Sequence, residues 1–229
     1  MRRSIVMNAM DATTKAAWNS LSVAAVSDAL DRCGIEGQCL GIRPLTSGFR
    51  LLGSAVTVRY GPRGAKAGTV GDYIDDVQAG EVVVLDNGGR LDATVWGDIL
   101  TEVAHRRQIS GTVIHGVCRD VARSLQLNYP IFSRGAYMRT GKDRVQVEAY
   151  NVPVSLGEVR VEPGDLLFGD ADGIVAIAQA RQREVLDFAL QIEARENQIR
   201  DAVASGLRLD EARRAAGYHQ LQRRAQPND

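Results

Sequence analysis

Residues 81–120 read EVVVLDNGGRLDATVWGDILTEVAHRRQISGTVIHGVCRD, and the order of patterns within them decides the fold. Glu81–Asp86 is a nearly continuous apolar run, the kind buried on both faces of a sheet. The turn Asn87-Gly88-Gly89 leaves it, Trp96–Arg107 has the spacing of a helix, and Thr112–His115 is a second apolar strand. Strand, helix, strand is a βαβ unit: a helix of about 18 Å at ~1.5 Å per residue carries the chain back along a strand of about five residues. In such a crossover the start of the helix and the end of the following strand share one edge of the sheet. Asp98 and the Arg119-Asp120 pair should therefore converge, although twenty residues separate Asp98 from Arg119. Open parallel sheets bind ligands at that edge.

On the N-terminal side, Ser22 caps a helical stripe of Val23, Val26, Ala29, Leu30 and Cys33 that stops at Gly34. Ser54–Tyr60 reads as a strand and Val70–Gln78 as a short helix. On the C-terminal side, strands are expected around Ile131, Val145–Val147, Val159–Val161, Leu166–Phe168 and Ile174–Ile177, with Gly and Asp turns that suit a second, more antiparallel sheet region. From Gln179 to Ser205 neither Gly nor Pro intrudes, and Val185, Phe188, Ala189, Ile192, Ile199 and Val203 give one long amphipathic helix. The fold class is α/β, with a parallel βαβ core and a long C-terminal helix. The expected division is one domain over residues 1–205 and a tail over 206–229, frayed after Arg223.

A chain of 229 residues with 45% hydrophobic and 24% charged residues has globular composition, which excludes global disorder. Lys+Arg and Asp+Glu both number 28, without a basic block, so nucleic acid is not an expected partner. Cys33, Cys39 and Cys118 form neither a CxxC pair nor an even set, which argues against a disulfide framework or thiolate zinc site and for a reducing compartment. Asn8 interrupts the apolar start, and no run of about 18 apolar residues follows, so the expectation is a soluble, cytoplasmic protein without a membrane partner.

Asp98, Arg119 and Asp120 are the first candidate site. A carboxylate holds Mg²⁺ or Mn²⁺ well, and an arginine clamps a substrate carboxylate with two parallel donors. The bland alternative is a surface ion pair. Backbone N–H groups at Gly97–Leu100 could attract an anion at the helix start, and Glu102 could join the carboxylates from one turn further on. Asp170 and Asp172 lack the downstream ligands of a calcium loop, and Gly135–Lys142 fails the spacing of a phosphate loop. His105, His115 and His219 show no ligand spacing; His115 reads as a hydrogen-bonded strand-end residue, and no base identifies Cys118 as a nucleophile.

Taken together, WGDILTEVAHRRQISGTVIHGVCRD (96–120), with its Asp, twenty intervening residues and Arg-Asp, resembles the signature of the RraA-like family. That family includes 4-hydroxy-4-methyl-2-oxoglutarate aldolases, oxaloacetate decarboxylases and regulators of ribonuclease E. Similarity extends to SVAAVSDAL from Ser22, EVVVLDNGG from Glu81 and VEPGDLLFGDADGIV from Val161. The resemblance implies a swivelling-type β/β/α fold, a homotrimer or homohexamer with interfacial sites, and a divalent metal, Mg²⁺ or Mn²⁺. It implies that Asp120 binds the metal, Arg119 binds substrate and steadies an enolate, and Asp98 holds metal-bound water. The amides of Gly97, Asp98, Ile99 and Leu100 would take the carboxylate of a small 2-oxo acid. A glutamate from the neighbouring C-terminal helix is matched by Glu196, with Glu193 as the fallback. The implied activity is lysis of 4-hydroxy-2-oxo dicarboxylic acids to pyruvate together with oxaloacetate decarboxylation. The alternative is a noncatalytic regulator that binds a ribonuclease or another partner. Asp120 and the long C-terminal helix, both lacking in the regulator branch, favour the enzyme.

Overall fold

The structure is a computed structural model, and it describes residues 10–65 and 68–217. Its contacts divide the chain into two compact units, Glu36–Gln182 on the one hand and the residues up to Ile35 with those from Arg183 on the other.

The larger unit is built on one eight-stranded sheet. Strands β1 (Arg43–Pro44), β2 (Leu51–Pro62), β3 (Val82–Asp86), β4 (Gly111–His115), β5 (Ile131–Ser133), β6 (Val145–Tyr150), β9 (Leu166–Asp170) and β10 (Gly173–Ile177) belong to it, in the order β1-β5-β4-β3-β2-β9-β10 with β6 also on β2. Strands β2, β3, β4 and β5 run parallel, and the other pairings are antiparallel. The 12-residue β2 makes this possible, pairing with β9 over Leu51–Ser54, with β3 over Ala55–Arg59 and with β6 over Val58–Pro62. The ends of the sheet come back together: Arg43 Nη1 donates to the Asp172 carbonyl at 2.6 Å, and Gln38 bridges to Val175. The sheet is therefore nearly closed: the later strands form the expected antiparallel region, continuous with the parallel strands through β2, and β7 (Val154–Leu156) and β8 (Val159–Val161) make a two-stranded hairpin of their own.

Near-closure explains the unbroken apolar pattern of the central strands. Val82 and Val84 of β3 face inward with Val113, Phe132, Leu167, Ile174 and the hairpin's Val154 and Leu156. Val83 and Leu85 face the opposite core with Ile114, Ile131, Trp96, Ala104 and Tyr129. Both faces are buried, so alternation with polar residues has no place. Helix α3 (Asp98–Arg106) crosses from β3 to β4, and α4 (Val121–Gln126) from β4 to β5. The stretch read as a helix at 70–78 is a single 3-10 segment, Asp72–Asp76.

The smaller unit is helical: α1 (Ala12–Asn19), α2 (Val23–Arg32), α5 (Gln182–Ala204, almost wholly within the unit) and α6 (Leu209–Ala215). Asp11 accepts from the Thr14 amide at 2.9 Å and Ser22 from the Ala25 amide at 3.1 Å, each capping its helix. On α5, Val185, Leu186, Ala189, Ile192 and Ile199 are buried, and Phe188 lies under the Arg32 guanidinium at 4.3 Å. The stretch expected as a tail from residue 206 contains α6, because Asp210 and Glu211 in its first turn and Arg213 and Arg214 in its last complement the helix dipole. His219 and the segment after Arg223 lie outside the described residues.

Candidate active site

The expected convergence occurs. A buried tryptophan fixes the corner: Trp96 Nε1 donates to Thr101 Oγ1 at 2.9 Å, and its ring stacks on that of Tyr129 with centroids 6.1 Å apart. The Trp96 carbonyl accepts from the Arg119 amide at 3.0 Å, which ties the segment entering α3 to the segment leaving β4. Across this junction Asp120 Oδ2 accepts from the Asp98 amide at 3.1 Å and lies 3.3 Å from Arg119 Nε. Asp98 Oδ1 accepts from the Ile99 amide at 2.8 Å. Asp98, Arg119 and Asp120 thus form one cluster.

Two local features make the contact possible. Gly97 has extended backbone that any residue can adopt, but a Cβ there would stand 2.7 Å from Asp120 Oδ2 and 3.2 Å from Arg119 Nε. Only glycine lets the carboxylate approach so closely. Asp120 itself is left-handed, with φ 57° and ψ 39°, in a region that costs a non-glycine residue about 1–2 kcal/mol and that aspartate tolerates better than most. Its carboxylate makes no capping bond to α4, which begins at the next residue, and is turned to the start of α3 instead.

The amides expected to bind a substrate carboxylate are partly in use. Of the four at Gly97, Asp98, Ile99 and Leu100, those of Asp98 and Ile99 donate to the protein's own carboxylates. Glu102 does not join the cluster. It pairs with Arg106 Nε at 2.9 Å and with both Nε and Nη2 of Arg123, joining α3 to α4, and these guanidiniums, Arg123 first, hold it below the usual carboxylate range. Glu193 and Glu196 lie on α5 in the other unit, where Arg200 pairs with them at 2.6 and 3.3 Å.

An open cavity of about 350 Å³ lies against the cluster, lined by Arg119, Asp120, Val121, Ala136, Tyr137 and Met138. Ala136–Met138 come from the loop after β5, whose sequence carries no signal beyond a glycine spacing that fails the phosphate-loop pattern. Its backbone is tied to the signature segment: the Cys118 amide donates to the Gly135 carbonyl at 3.1 Å, and the Tyr137 amide to the Cys118 carbonyl at 2.8 Å. Long-range pairing of this kind leaves no local pattern to detect. Ile99 and Met138 are each 76% exposed, so apolar surface flanks the carboxylates.

The remaining candidates have structural surroundings. Cys118 is buried, which raises its thiol above the ordinary value despite the Ser133 hydroxyl nearby. Asp170 accepts from the Asp172 amide at 2.9 Å in the turn between β9 and β10. His115 Nδ1 meets Asp86 Oδ1 at 3.3 Å, at the ends of β4 and β3. Among the described residues no group of three or more His, Cys, Asp or Glu side chains is gathered as a metal site, and no helix is long and apolar enough to cross a membrane.

The sequence and the fold are similar to those of known proteins. The profile of the RraA-like family, described as Aldolase/RraA, matches residues 23–176. The chain is 34% identical over 190 residues to a Halalkalibacterium halodurans protein named "Putative 4-hydroxy-4-methyl-2-oxoglutarate aldolase", covering 81% of this chain and 88% of that one. It is 44% identical over 201 residues to Legionella pneumophila DlpA, which includes 86% of this chain, although the chain spans only 32% of the length of DlpA. Among solved structures, an uncharacterized protein from Pseudomonas syringae pv. tomato superimposes with a TM-score of 0.84 at 40% identity, over 90% of this chain and all of that one. Streptomyces coelicolor RraAS2, an unusual member of the RNase ES inhibitor RraA family, gives 0.75 at 28% identity over 83% and 97%.

Proposed function

The chain belongs to the RraA-like family, and from that premise we propose that it is a divalent-metal-dependent lyase. Its substrates are 4-hydroxy-2-oxo dicarboxylic acids of the 4-hydroxy-4-methyl-2-oxoglutarate type, cleaved to pyruvate, and it also decarboxylates oxaloacetate. The observation that carries this reading is the cluster in which Asp98, Arg119 and Asp120 meet beside an open cavity.

The donor set suits a hard cation. One oxygen of each carboxylate is engaged, while Asp120 Oδ1 and Asp98 Oδ2 have no protein partner among the described residues. Mg²⁺ and Mn²⁺ accept one or two carboxylates and keep several waters, so a three-residue cage is not required. Asp120 would hold the ion directly and Asp98 through water; when bound, it supplies positive charge that polarises the substrate's 2-oxo group.

The chain's own residues do the rest. Arg119, fixed through its amide to Trp96, presents a planar guanidinium to the substrate carboxylate and to the negative charge that develops on the 2-oxo oxygen. The Asp98 amide that donates to Asp120 here is the donor a substrate carboxylate oxygen would take once Asp120 turns to the cation. In aldol cleavage the C3–C4 bond breaks, its electron pair passes into the enolate of pyruvate, and the C4 hydroxyl gives up its proton as the second carbonyl forms. Asp98 orients the water that receives this proton. In oxaloacetate decarboxylation the same enolate forms as CO₂ departs, with no hydroxyl proton to remove. Protonation at C3 then gives pyruvate in both reactions. The matching assembly is a homotrimer or homohexamer in which Glu196 of the partner subunit, or in its place Glu193 of the partner subunit, reaches the cluster.

Pyruvate release from 4-hydroxy-4-methyl-2-oxoglutarate and from oxaloacetate, with Mg²⁺ and then with chelator, tests the proposal. Release above the metal-only blank that disappears with chelator is expected. No enzyme-dependent release from either acid would overturn it in favour of a noncatalytic, partner-binding protein of the regulator branch.

A further inference from the structure

A dicarboxylic substrate brings two negative ends to the cavity, and Arg119 can meet only one of them. The second end needs another cation at the rim. Several other arginines of the larger unit are committed. Arg106 and Arg123 hold Glu102, Arg90 holds Asp92 with two bonds of 2.9 Å, Arg134 donates to the Gly89 carbonyl at 3.0 Å, and Arg144 donates to the carbonyls of Thr140 and Lys142.

Arg139 is different. Its guanidinium makes no hydrogen bond or ion pair among the described residues, and Asp92, which feels its charge, is already held by Arg90. It stands over the ring of Tyr137, with the guanidinium carbon 5.9 Å from the ring centroid. Tyr137 lines the cavity together with Arg119 and Asp120. The backbone is anchored on both sides of the pair, since the Tyr137 amide donates to the Cys118 carbonyl at 2.8 Å and the Arg139 carbonyl accepts from the Thr94 amide at 3.0 Å. A cation is thus kept on a fixed loop beside the cavity wall with its donors free.

We infer that Arg139, steadied over Tyr137, is a specificity-determining residue that recognises the distal carboxylate of the substrate, selecting dicarboxylic over monocarboxylic 2-oxo acids. This rests on the lyase reading for its substrate class, but it is tested by binding. Arginine suits the task because its planar fork matches a carboxylate, and the aromatic face restrains the side chain without neutralising it. Tyr137 acts as a positioning residue.

The probes are 2-oxoglutarate and 2-oxobutyrate, which share the 2-oxo carboxylate end but differ in the distal carboxylate. Calorimetric titration at fixed Mg²⁺ is expected to give roughly tenfold tighter binding of 2-oxoglutarate by the wild-type protein, on the scale of one charge-assisted contact. Arg139→Gln should abolish that preference and leave 2-oxobutyrate binding unchanged. Tyr137→Leu should reduce the preference, and Tyr137→Phe, which keeps the ring face, should restore it. Equal affinities in the wild type, or a preference that survives Arg139→Gln, would overturn the assignment. If the preference depends on Arg139 but no acid yields pyruvate, the lyase reading falls and the carboxylate site stands; normal pyruvate release with an unaltered preference rejects Arg139 alone.

Discussion

Asp86 ends β3, and Asp120 follows the end of β4 by five residues, so both carboxylates stand at the carboxyl edge of the same parallel strands. Their surroundings are opposite. Asp86 has a side chain 15% exposed and both oxygens occupied, Oδ1 by the Gly88 amide at 2.9 Å and His115 Nδ1 at 3.3 Å, Oδ2 by the Ser155 amide at 3.1 Å. Burial by itself would raise its pKa, but the bonds from His115, Gly88 and Ser155 outweigh that and hold it below the usual carboxylate value. Asp120 is 38% exposed, sits on a left-handed backbone and has only one oxygen engaged. A satisfied carboxylate fastens the turn after β3 and the hairpin to the sheet. A half-satisfied one on strained backbone has bonding capacity left for a ligand.

The largest expected effect follows from that difference. Asp120→Asn, which retains a side chain tolerant of left-handed backbone, should lower kcat for oxaloacetate by at least about 100-fold, the scale of losing a main electrostatic contributor, with little change in melting temperature. Near wild-type turnover would erase the functional contrast between the two carboxylates. Gly97→Ala comes next. Its backbone permits alanine, so the protein should fold, but the new methyl pushes the Asp120 carboxylate away, and kcat/KM should fall by roughly 10- to 100-fold. Unchanged kinetics would show that the close approach is incidental.

Asp86→Ala should do the reverse: it strands the three donors of Gly88, Ser155 and His115 and costs about 1–3 kcal/mol of stability. The corresponding fall in melting temperature is roughly 2–4 °C for each kcal/mol. Because the folded pKa of Asp86 is depressed, its contribution is present above the ordinary carboxylate value of about 3.9 and is lost as pH falls through that value toward the lower folded one. Denaturation curves at neutral and at acid pH should therefore converge for the wild type and the variant as pH drops. A stability gap that stays constant into acid would contradict this account of Asp86.

The βαβ unit was legible because β3 and β4 are apolar at successive positions and α3 lies between them at the right length. The convergence of Asp98 with Arg119 and Asp120 follows from that connection alone. The left-handed Asp120 and its turn toward the start of α3 were not legible, since an Arg-Asp dipeptide carries no mark of its backbone conformation. Glu102 illustrates another limit: helical spacing places it on the face of Asp98, but Arg123 of α4, twenty-one residues on, claims it. The cavity wall at Tyr137 and Met138 escaped for the same reason, because what brings it there is pairing with Cys118 and Thr94. The antiparallel character of the later strands was legible from their Gly and Asp turns, but their joining to the parallel strands was not, because nothing local reveals that β2 is long enough to accept three partners.

The central claim is that the Asp98, Arg119 and Asp120 cluster takes a divalent cation while the Asp86 and His115 pair holds structure. Mn²⁺ titration followed by electron paramagnetic resonance tests it without reference to any substrate. The wild-type protein and Asp86→Ala should bind Mn²⁺ alike, and Asp120→Asn should bind it at least about tenfold more weakly, as expected for loss of a directly ligating carboxylate. Equal Mn²⁺ affinity in Asp120→Asn and the wild type, or loss of binding in a folded Asp86→Ala, would contradict the account.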